Sequence, residues 1–425
     1  MNYLKLLLLF QFFAFLSFGQ LNNNSPYSKY GLGQLSGTPY ANNFGMAGLS
    51  IGVLDSNHVN GVNPASGSFL NYTHAEFGIK SKYSAYNTGT ETNTELNGHL
   101  SHFTLGFPLG KSKNIGFISG MTPYSTIGYS FKNTLENSVA SYDASGGLTN
   151  VFTGLSYRKK GVSFGVNAKY FFGKSIKYDA MRYDDNLILD YYQTNDDRIK
   201  GYALEYGILY KSPKLKNGIE IGFGATFQPS QFLRIDRNAI TFQVDNTNGV
   251  DSLLNLTSVN SNGLVQLPGQ FGVGFTLNQS SKWMLGVDYQ STQWSNYTYF
   301  AENGGLMDQS EFKIGFQYAP DPMARTKGIA KGQTWKEGLL YRTGFRYSNS
   351  FVGDENTQLT ELGISFGIDV VTPFNINYEV PSFWTFAVEV GKMGTTNGVW
   401  LEERFVKLNF AYTFSDRWFK KSRIN

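Results

Sequence analysis

Cysteine is absent from this chain of 425 residues, and charged residues are scarce. Without cysteine the protein can form no disulfide, no thiolate metal site and no lipid anchor on an N-terminal cysteine. Only 16% of the residues are charged, the formal net charge is +4, and the basic residues are scattered. This composition lacks the concentrated basic patch of a nucleic-acid-binding protein, so we expect no nucleic-acid partner.

Long apolar runs are also lacking after the N-terminus. There, Lys5 is followed by an apolar stretch from Leu6 to Phe18, and Ser17-Phe18-Gly19 offers a small-residue cleavage site before Gln20. This pattern predicts a signal peptide over residues 1–19. The alternative, a membrane anchor, is disfavoured because the stretch falls short of the ~18–20 residues that a spanning helix requires.

Motifs for catalysis are missing as well. The sequence has no P-loop, and its four histidines show no zincin spacing. We interpret His99 and His102, which flank a predicted strand start, as solvated or rim-placed side chains rather than metal ligands. The acidic pairs Asp184-Asp185 and Asp196-Asp197 could offer oxygens to Ca²⁺, but their spacing fits no calcium loop. We therefore expect no metal, no cofactor and no enzymatic activity.

Glycine, tyrosine and phenylalanine are abundant instead, at 47, 27 and 35 residues. Many of them lie in segments where bulky residues alternate with small or polar ones, most clearly from Val162 to Phe172. Because strand side chains point alternately to two faces, one face of this strand is bulky and apolar. The run is long enough to cross a bilayer, for which a tilted strand needs about 9–11 residues.

Alternating segments of this kind recur along the chain and form fourteen predicted strands. They are 73–84, 97–109, 114–129, 147–158, 161–176, 201–211, 217–228, 264–278, 281–296, 310–319, 338–348, 359–371, 383–392 and 403–414. An even number of antiparallel strands with a bulky apolar face predicts an all-β transmembrane barrel over residues 71–414. A soluble barrel with the bulky face turned inward is the alternative.

The connections between these segments differ in length. We expect the short turns 158–161 and 213–218 on the periplasmic rim. Longer insertions are expected as extracellular loops at 130–146, 178–200, 229–263 and 320–337. The last strand ends in the aromatic Phe414, which we interpret as the insertion signal that the barrel-assembly machinery reads, and residues 415–425 form a short basic tail. These features predict a location in the outer membrane of a Gram-negative bacterium, surrounded by membrane lipid.

Charged residues in the small or polar set of their strands are predicted to face the lumen. They are Lys169, Glu205, Glu220, Asp288 and Glu389. A charge in the lumen can anchor a plug, shape a polar pathway or orient a carboxylate. The equally open alternative is a structural ion-pair network that ties a plug to the wall.

Several short motifs, taken in their order, resemble the long-chain fatty-acid transporter (FadL) family in its Bacteroidetes form. They are Asn43–Ser50, Asn63–Ser66, Thr122–Ser125, Leu267–Phe271 and Asp416–Lys421. The resemblance implies a fourteen-stranded barrel whose N-terminal residues 20–70 form a hatch in the lumen. The hatch residues with a structural or gating role would be Gly45, Ala47, Gly48, Asn63, Pro64 and Ala65. A disordered linker over Asn22–Phe69 is the alternative.

The resemblance also implies a function, namely passive uptake of small hydrophobic molecules past the hatch, without a cofactor. The inward positions here are often glycine, serine, asparagine or charged, so the sequence shows no apolar pocket. The alternative is a non-transporting plug, shuttle or scaffold in an envelope complex such as the type 9 secretion translocon. The possible partners are thus hydrophobic small molecules or that translocon.

Overall fold

A computed structural model describes residues 25–418, apart from positions 90, 186, 217, 246, 248–251, 280–281, 324–334, 355, 373–379 and 397–399. The predicted signal peptide, residues 1–19, and the tail from residue 419 onward lie outside the described residues. Across the described part of the chain, no helix has the length and apolarity needed to cross a bilayer.

Strands dominate the described residues. They are β1 (Gln34–Leu35), β2 (Thr73–Asn87), β3 (Thr92–Leu109), β4 (Ile115–Leu135), β5 (Ser138–Lys159), β6 (Val162–Tyr183), β7 (Asp190–Lys211), β8 (Ile219–Gln228), β9 (Gln231–Asp245), β10 (Ser252–Leu267), β11 (Gln270–Gln279), β12 (Trp283–Thr292), β13 (Thr298–Tyr299), β14 (Glu302–Asn303), β15 (Gln309–Tyr318), β16 (Leu339–Gly353), β17 (Gln358–Val371), β18 (Phe383–Gly394) and β19 (Glu402–Asp416). Short 3₁₀ helices lie at Pro26–Lys29, Pro64–Phe69, Trp294–Asn296 and Trp335–Gly338, and one α-helical turn at Ala41–Phe44.

The wall is a closed antiparallel barrel of fourteen strands. Two wall strands each consist of two segments, β8 with β9 and β10 with β11, which are interrupted at Pro229 and Pro268. Proline interrupts a ladder because it has no N–H to donate. The last wall strand, β19, pairs with the first wall strand, β2, along its whole length, from Glu402↔Asn87 to Asp416↔Thr73. The predicted fourteen-stranded barrel is confirmed, although its last strand continues two residues beyond Phe414.

The bulky face of the strands points out of the barrel. On β7, Tyr202, Leu204 and Tyr206 are 75%, 42% and 42% exposed, whereas the intervening Ala203 and Glu205 are buried. The soluble alternative with inward bulky side chains is therefore wrong. Each large apolar side chain left in water forgoes roughly 1.5–3 kcal/mol, so this surface requires a hydrocarbon surrounding.

The two rims of the barrel differ in how far the strands extend. The short rim carries the turns at 110–114, 160–161 and 212–218. At the opposite, extended rim, β4 to β7, β9 and β10 project beyond the other strands, and we call this projection the extended sheet. The loops predicted at 130–146, 178–200 and 229–263 are wrong, because they are mostly strand. Polar residues on both faces of these extensions hide the alternation that marks the wall.

The loop predicted at 320–337 is placed at the wrong rim. It connects the short-rim end of β15 to the short-rim end of β16, as the register Tyr318↔Tyr341 shows. It therefore shares a rim with the tight turn at 160–161, on which the periplasmic assignment was based. The length of an insertion does not by itself determine its side of the membrane.

Residues 25–70 lie inside the barrel, and we call them the luminal segment. Its two larger turns contact opposite parts of the wall: Pro64–Phe69 packs against β3 to β7, and Ala41–Phe44 against β17 to β19. Most of its side chains are buried, including Leu49, Val59 and Ala65 at 0% exposure. This arrangement differs from the disordered-linker alternative over the described part of the segment.

Candidate functional site

Glycines on the inner face of the wall make room for the backbone of the luminal segment. A Cβ added at Gly116 would lie 2.0 Å from the backbone of Gly67, and at Gly224 it would lie 2.0 Å from the Ile51 carbonyl. The same close approach recurs elsewhere around the wall, and the set is called the glycine belt. Its members are Gly116, Gly165, Gly224, Gly274 and Gly344. Only glycine allows backbone to approach backbone at such distances.

The Asn-Pro-Ala stretch of the luminal segment is bound to β6 and β7. The Asn63 side chain accepts a hydrogen bond from the Ala65 N–H at 3.0 Å, which caps the turn that begins at Pro64. The Asn63 amide donates to the Ile208 carbonyl at 3.1 Å, and Ser163 Oγ donates to the Ala65 carbonyl at 2.8 Å. A buried backbone group left without such a partner would cost about 1–3 kcal/mol. These contacts seat the turn against the wall.

The other predicted hatch residues bind the opposite wall. Ser365 Oγ on β17 accepts from the Ala47 N–H at 2.6 Å and donates to the Gly45 carbonyl at 3.1 Å. Ala47 and Gly48 have positive φ angles of 56° and 86°, so the chain turns sharply here. Glycine adopts this conformation without strain, whereas alanine does so at some cost.

The five predicted lumen residues all lie on the inner face, but they do not form one site. Asp288 accepts backbone N–H bonds from Ser50 and Ile51 at 2.7 and 2.8 Å, so it anchors the luminal segment. Lys169 and Glu205 form an ion pair with an N···O distance of 2.9 Å. Glu220 lies near the short rim, where it pairs with Lys211 at 3.2 Å.

Glu389 belongs to a network of six charged side chains on β15 to β19, called the ionic cluster. Arg346 contacts Glu361 at 2.6 Å and Glu389 at 2.9 Å, and Lys407 contacts both carboxylates at 3.0 Å. Glu311 and Lys313 complete the cluster on β15. Sequence reasoning identified only Glu389, although all six positions have inward parity on adjacent strands. Together with Lys169 and Glu205 they line a lumen cavity of about 330 Å³.

Three histidines lie in the interior, contrary to the rim placement predicted for His102. His102 Nε2 contacts Glu76 at 2.8 Å, and both side chains are buried. His58, in the luminal segment, contacts Asp55 at 2.9 Å and Asp369 at 3.4 Å. Burial opposes protonation of His58, but these two carboxylates outweigh it and raise its pKa above the ordinary value. The third, His74, is likewise buried. The predicted strand 97–109 already contained His102, and its position next to the outward Phe103 gives it the inward parity that the prediction did not use.

The wall has a lateral gap between β3 and β4. The two strands pair only from Phe103↔Met121 to Leu109↔Ile115, on the short-rim side. Beyond that level both continue toward the extended rim, held by β2 and β5 on their far sides, with no described pairing to each other. Pairing stops where a bulge places Ser101 as an extra residue on β3. Bulges re-aim strands and terminate pairing in this way.

The luminal segment covers part of this gap with β1. Leu35 pairs with Ser125 and Gln34 with Thr126, on the edge of β4 that β3 has left. Ser125 Oγ also donates to the Leu32 carbonyl at 2.6 Å. Farther along the same edge, Ser28 Oγ donates to the Gly128 carbonyl at 2.7 Å and accepts from the Gly128 N–H at 3.1 Å. The cover is thus a two-residue strand and one side-chain contact, and no strand longer than β1 is described on this edge.

The gap leads to an apolar groove of about 1500 Å³ on the outside of the barrel. The apolar lining includes Phe77, Ile79, Leu100, Met121, Phe386 and Phe410. Lys80, His99 and Pro123 line both this groove and the lumen cavity, so the two spaces meet there. Lys80 Nζ donates to the Ser36 carbonyl at 2.9 Å, and His99 Nε2 is buried without a described hydrogen-bond partner. The junction therefore presents an ammonium group and an imidazole nitrogen to an incoming solute.

Comparison with known proteins identifies the family of this chain and similar solved structures. The family model BamG matches residues 2–425 of the chain. No curated protein matches the sequence. Among solved structures, the Pseudomonas putida toluene transporter TodX is similar with a TM-score of 0.60 at 13% identity, covering 91% of this chain and 100% of its own.

Two further structures are similar over comparable lengths. The monoaromatic hydrocarbon channel CymD has a TM-score of 0.58 at 13% identity, covering 91% of this chain and 99% of its own. A Pseudomonas aeruginosa FadL homologue has a TM-score of 0.58 at 10% identity, covering 91% and 98%. At these identities the similarity establishes the FadL-like fold.

Proposed function

The chain belongs to the BamG family and has a FadL-like barrel fold, and we propose that it admits small hydrophobic molecules across the outer membrane by passive diffusion. The observation that carries the proposal is the lateral gap between β3 and β4, which joins the lumen cavity to an apolar groove facing the membrane. The names of TodX and CymD, a toluene transporter and a monoaromatic hydrocarbon channel, support a hydrophobic solute.

The proposed route runs from the lumen cavity, past the junction at Lys80 and His99, into the groove and the lipid. A hydrophobic solute leaves the charged surroundings of the cavity when it enters the groove, because the groove lining is apolar. Transfer into it gains roughly 25 cal/mol for each Å² of apolar surface removed from water. This favourable transfer free energy drives the passage without a cofactor or an energy source.

The luminal segment is the proposed hatch. Opening the gap requires β1 to leave β4, which breaks two register pairs, the Ser125–Leu32 hydrogen bond and the hydrogen bond from the Ser36 N–H to the Tyr124 carbonyl. At a net ~0.5–1.5 kcal/mol for each hydrogen bond, this costs a few kcal/mol, within reach of thermal fluctuation. The rest of the segment, held by Asn63, Asp288 and Ser365, remains seated.

The junction favours solutes with an acidic head group. Lys80 is 8% exposed, and its Nζ lies 4.8 Å from the centre of the Phe44 ring. A carboxylate at this point would add a charge-assisted hydrogen bond while its apolar tail occupied the groove. Neutral hydrocarbons would pass with less retention.

A pair of matched substitutions tests the route. Ser81 lies on β2 and lines the groove, whereas Ser119 lies on β4 where it is still paired with β3 through Leu105. In liposomes containing the purified protein, Ser81→Trp should lower the uptake of a radiolabelled monoaromatic hydrocarbon, and Ser119→Trp should leave it unchanged. Equal uptake by both variants and the unsubstituted protein would remove the groove from the route.

A second candidate function has its own supporting observation. Hydrogen bonds hold the luminal segment to opposite parts of the wall, at Ile208 on β7 and at Ser365 on β17, and the lumen cavity is small and lined by many charged side chains. A barrel filled in this way would also suit a plug, shuttle or scaffold in an envelope complex, such as the type 9 secretion translocon. Liposomes that admit no solute, together with a stoichiometric large partner in native membranes, would favour this second function.

A further inference from the structure

Strand β10 carries a free edge beyond the membrane-spanning part of the barrel. On one side, β10 pairs with β9 from Ser252↔Asp245 to Leu267↔Gln231. On the other side, the described pairing is Val265↔Tyr299 alone, next to a hydrogen bond from the Phe300 N–H to the Leu264 carbonyl. From Ser252 to Asn262, which we call the β10 edge, the structure describes no neighbouring strand.

The edge is free because the neighbouring wall strand, β12, ends at a lower level than β10. β11 continues the β10 wall strand and is paired with β12 up to Gln270↔Thr292. After Thr292 the chain leaves the wall, while β10 continues into the extended sheet. β11 and β12 already have the ten residues that a tilted strand needs to cross a bilayer. The β10 edge therefore lies outside the lipid, with an unpaired ladder roughly 35 Å long.

The side chains of the β10 edge lack the usual protection of a free strand. Leu253, Leu256 and Val259 are 57%, 61% and 53% exposed. No charged residue and no proline occurs between Ser252 and Leu267. The one protective feature is a bulge between Leu254 and Thr257, which leaves the part beyond it regular. Natural proteins normally guard such edges with charges, proline or a cover.

An extended polypeptide is the ligand that this edge fits, because only a strand can pair with a row of alternating N–H and C=O groups. A second copy of the chain is a poor occupant. Two barrels in one membrane are related by an axis along the membrane normal. In both copies β10 therefore runs in the same direction relative to the membrane. With strand tilts of about 35–45°, the two edges would cross at roughly 70–90° instead of lying side by side.

We propose that the β10 edge binds an extended, uncharged strand of another protein by β-augmentation, on the side of the membrane that the extended rim faces. The partner strand would place apolar side chains beside the exposed leucines and valine, since the edge offers no charge for an ionic partner. The inference is independent of solute transport. It concerns a surface that no part of the proposed route touches.

Site-specific photo-crosslinking in intact cells tests this proposal. A benzophenone amino acid is placed at Leu253 or Leu256 on the edge, and, as a matched control, at Phe232 on β9, which is 59% exposed on the same hairpin. The proposal expects one heterologous protein to be captured at both edge positions and not at Phe232. Mass spectrometry should map its crosslink to an extended, uncharged segment. Val259→Lys, which adds an edge charge, should abolish the crosslink, whereas Val259→Thr should preserve it.

Contrary results are equally distinct. Capture of a second copy of this chain, equal capture at Phe232, a crosslink insensitive to Val259→Lys, or no protein capture at any edge position would each overturn the proposal. Heat-dependent gel migration of every variant verifies that the barrel is folded. As an independent measurement, hydrogen exchange of the 252–262 amides should be slower in native membrane vesicles than in detergent, with β9 amides as the reference.

Discussion

A single methyl group on the inner wall is expected to unseat the luminal segment. Gly165 faces the turn that begins at Pro64, and a Cβ at this position would lie 2.3 Å from the Pro64 carbonyl carbon. An ordinary contact requires at least ~3.4 Å, so either the turn or β6 must move by about 1 Å. Neither is a flexible side chain. Gly165→Ala should therefore displace the turn.

The expected magnitude follows from the contacts that such a shift breaks. Overpacking costs roughly 1–3 kcal/mol, and loss of the Ser163–Ala65 and Asn63–Ile208 hydrogen bonds adds about 1 kcal/mol each. A net change of about 3–5 kcal/mol in seating corresponds to roughly 150- to 5000-fold in the open population.

Cysteine labelling measures this population, because the chain contains no native cysteine. Ser66 is 5% exposed, so Ser66→Cys should react with a maleimide only when the turn leaves the wall. Gly98→Ala is the control, because the nearest atom to its added Cβ lies 3.8 Å away. Labelling of Ser66→Cys should accelerate strongly with Gly165→Ala and not with Gly98→Ala. Equal rates in folded barrels would refute the glycine-belt reasoning.

Three further predictions concern charged groups. Lys80→Met should lower liposome uptake of a fatty carboxylate about tenfold, the loss of one charge-assisted hydrogen bond, and spare a neutral hydrocarbon; equal effects on both solutes would contradict the junction's role. The raised pKa of His58 stabilises the seated segment below the ordinary histidine pKa, and this contribution is lost as pH rises through the raised value. Ser66→Cys labelling should therefore increase with pH, and His58→Gln should flatten that dependence. Glu389→Gln should destabilise the barrel by about 3–5 kcal/mol in urea titration, whereas Glu220→Gln, whose partner Lys211 is partly solvated, should change stability by less than ~1 kcal/mol. Similar losses in the two variants would remove the special role of the ionic cluster.

The architecture could be predicted because a wall strand between lipid and lumen has two chemically different faces. The alternation from Val162 to Phe172 makes this contrast visible in the sequence. In the extended sheet both faces meet water, so the contrast vanishes, and the sequence of the β9–β10 hairpin resembles that of a polar loop. The luminal segment was implied by the resemblance to the FadL family, and its small residues and Pro64 suit a close, stiff turn.

The lateral gap could not be predicted, because it depends on pairing between distant positions. Two bulges mark the level where β3 and β4 part, at Ser101 on β3 and at Tyr124 on β4. Pro123, which has no N–H to donate, precedes the second bulge, but a proline alone does not reveal which neighbouring strand is missing. The glycine belt was missed for a similar reason. A glycine in a strand has several explanations, and the approach of Pro64 to Gly165 follows only from the fold. The ionic cluster required the register of five strands.

A reversible lock on β1 tests the central claim, that hydrophobic solutes leave through the β3–β4 gap when β1 moves. Leu35→Cys with Ser125→Cys joins two register partners, and Val166→Cys with Tyr206→Cys joins a pair in the closed wall as the control. Liposome uptake of a monoaromatic hydrocarbon should cease when the first pair is oxidised, return on reduction, and be unaffected by the second pair. Undiminished uptake through the oxidised β1 lock would contradict the claim.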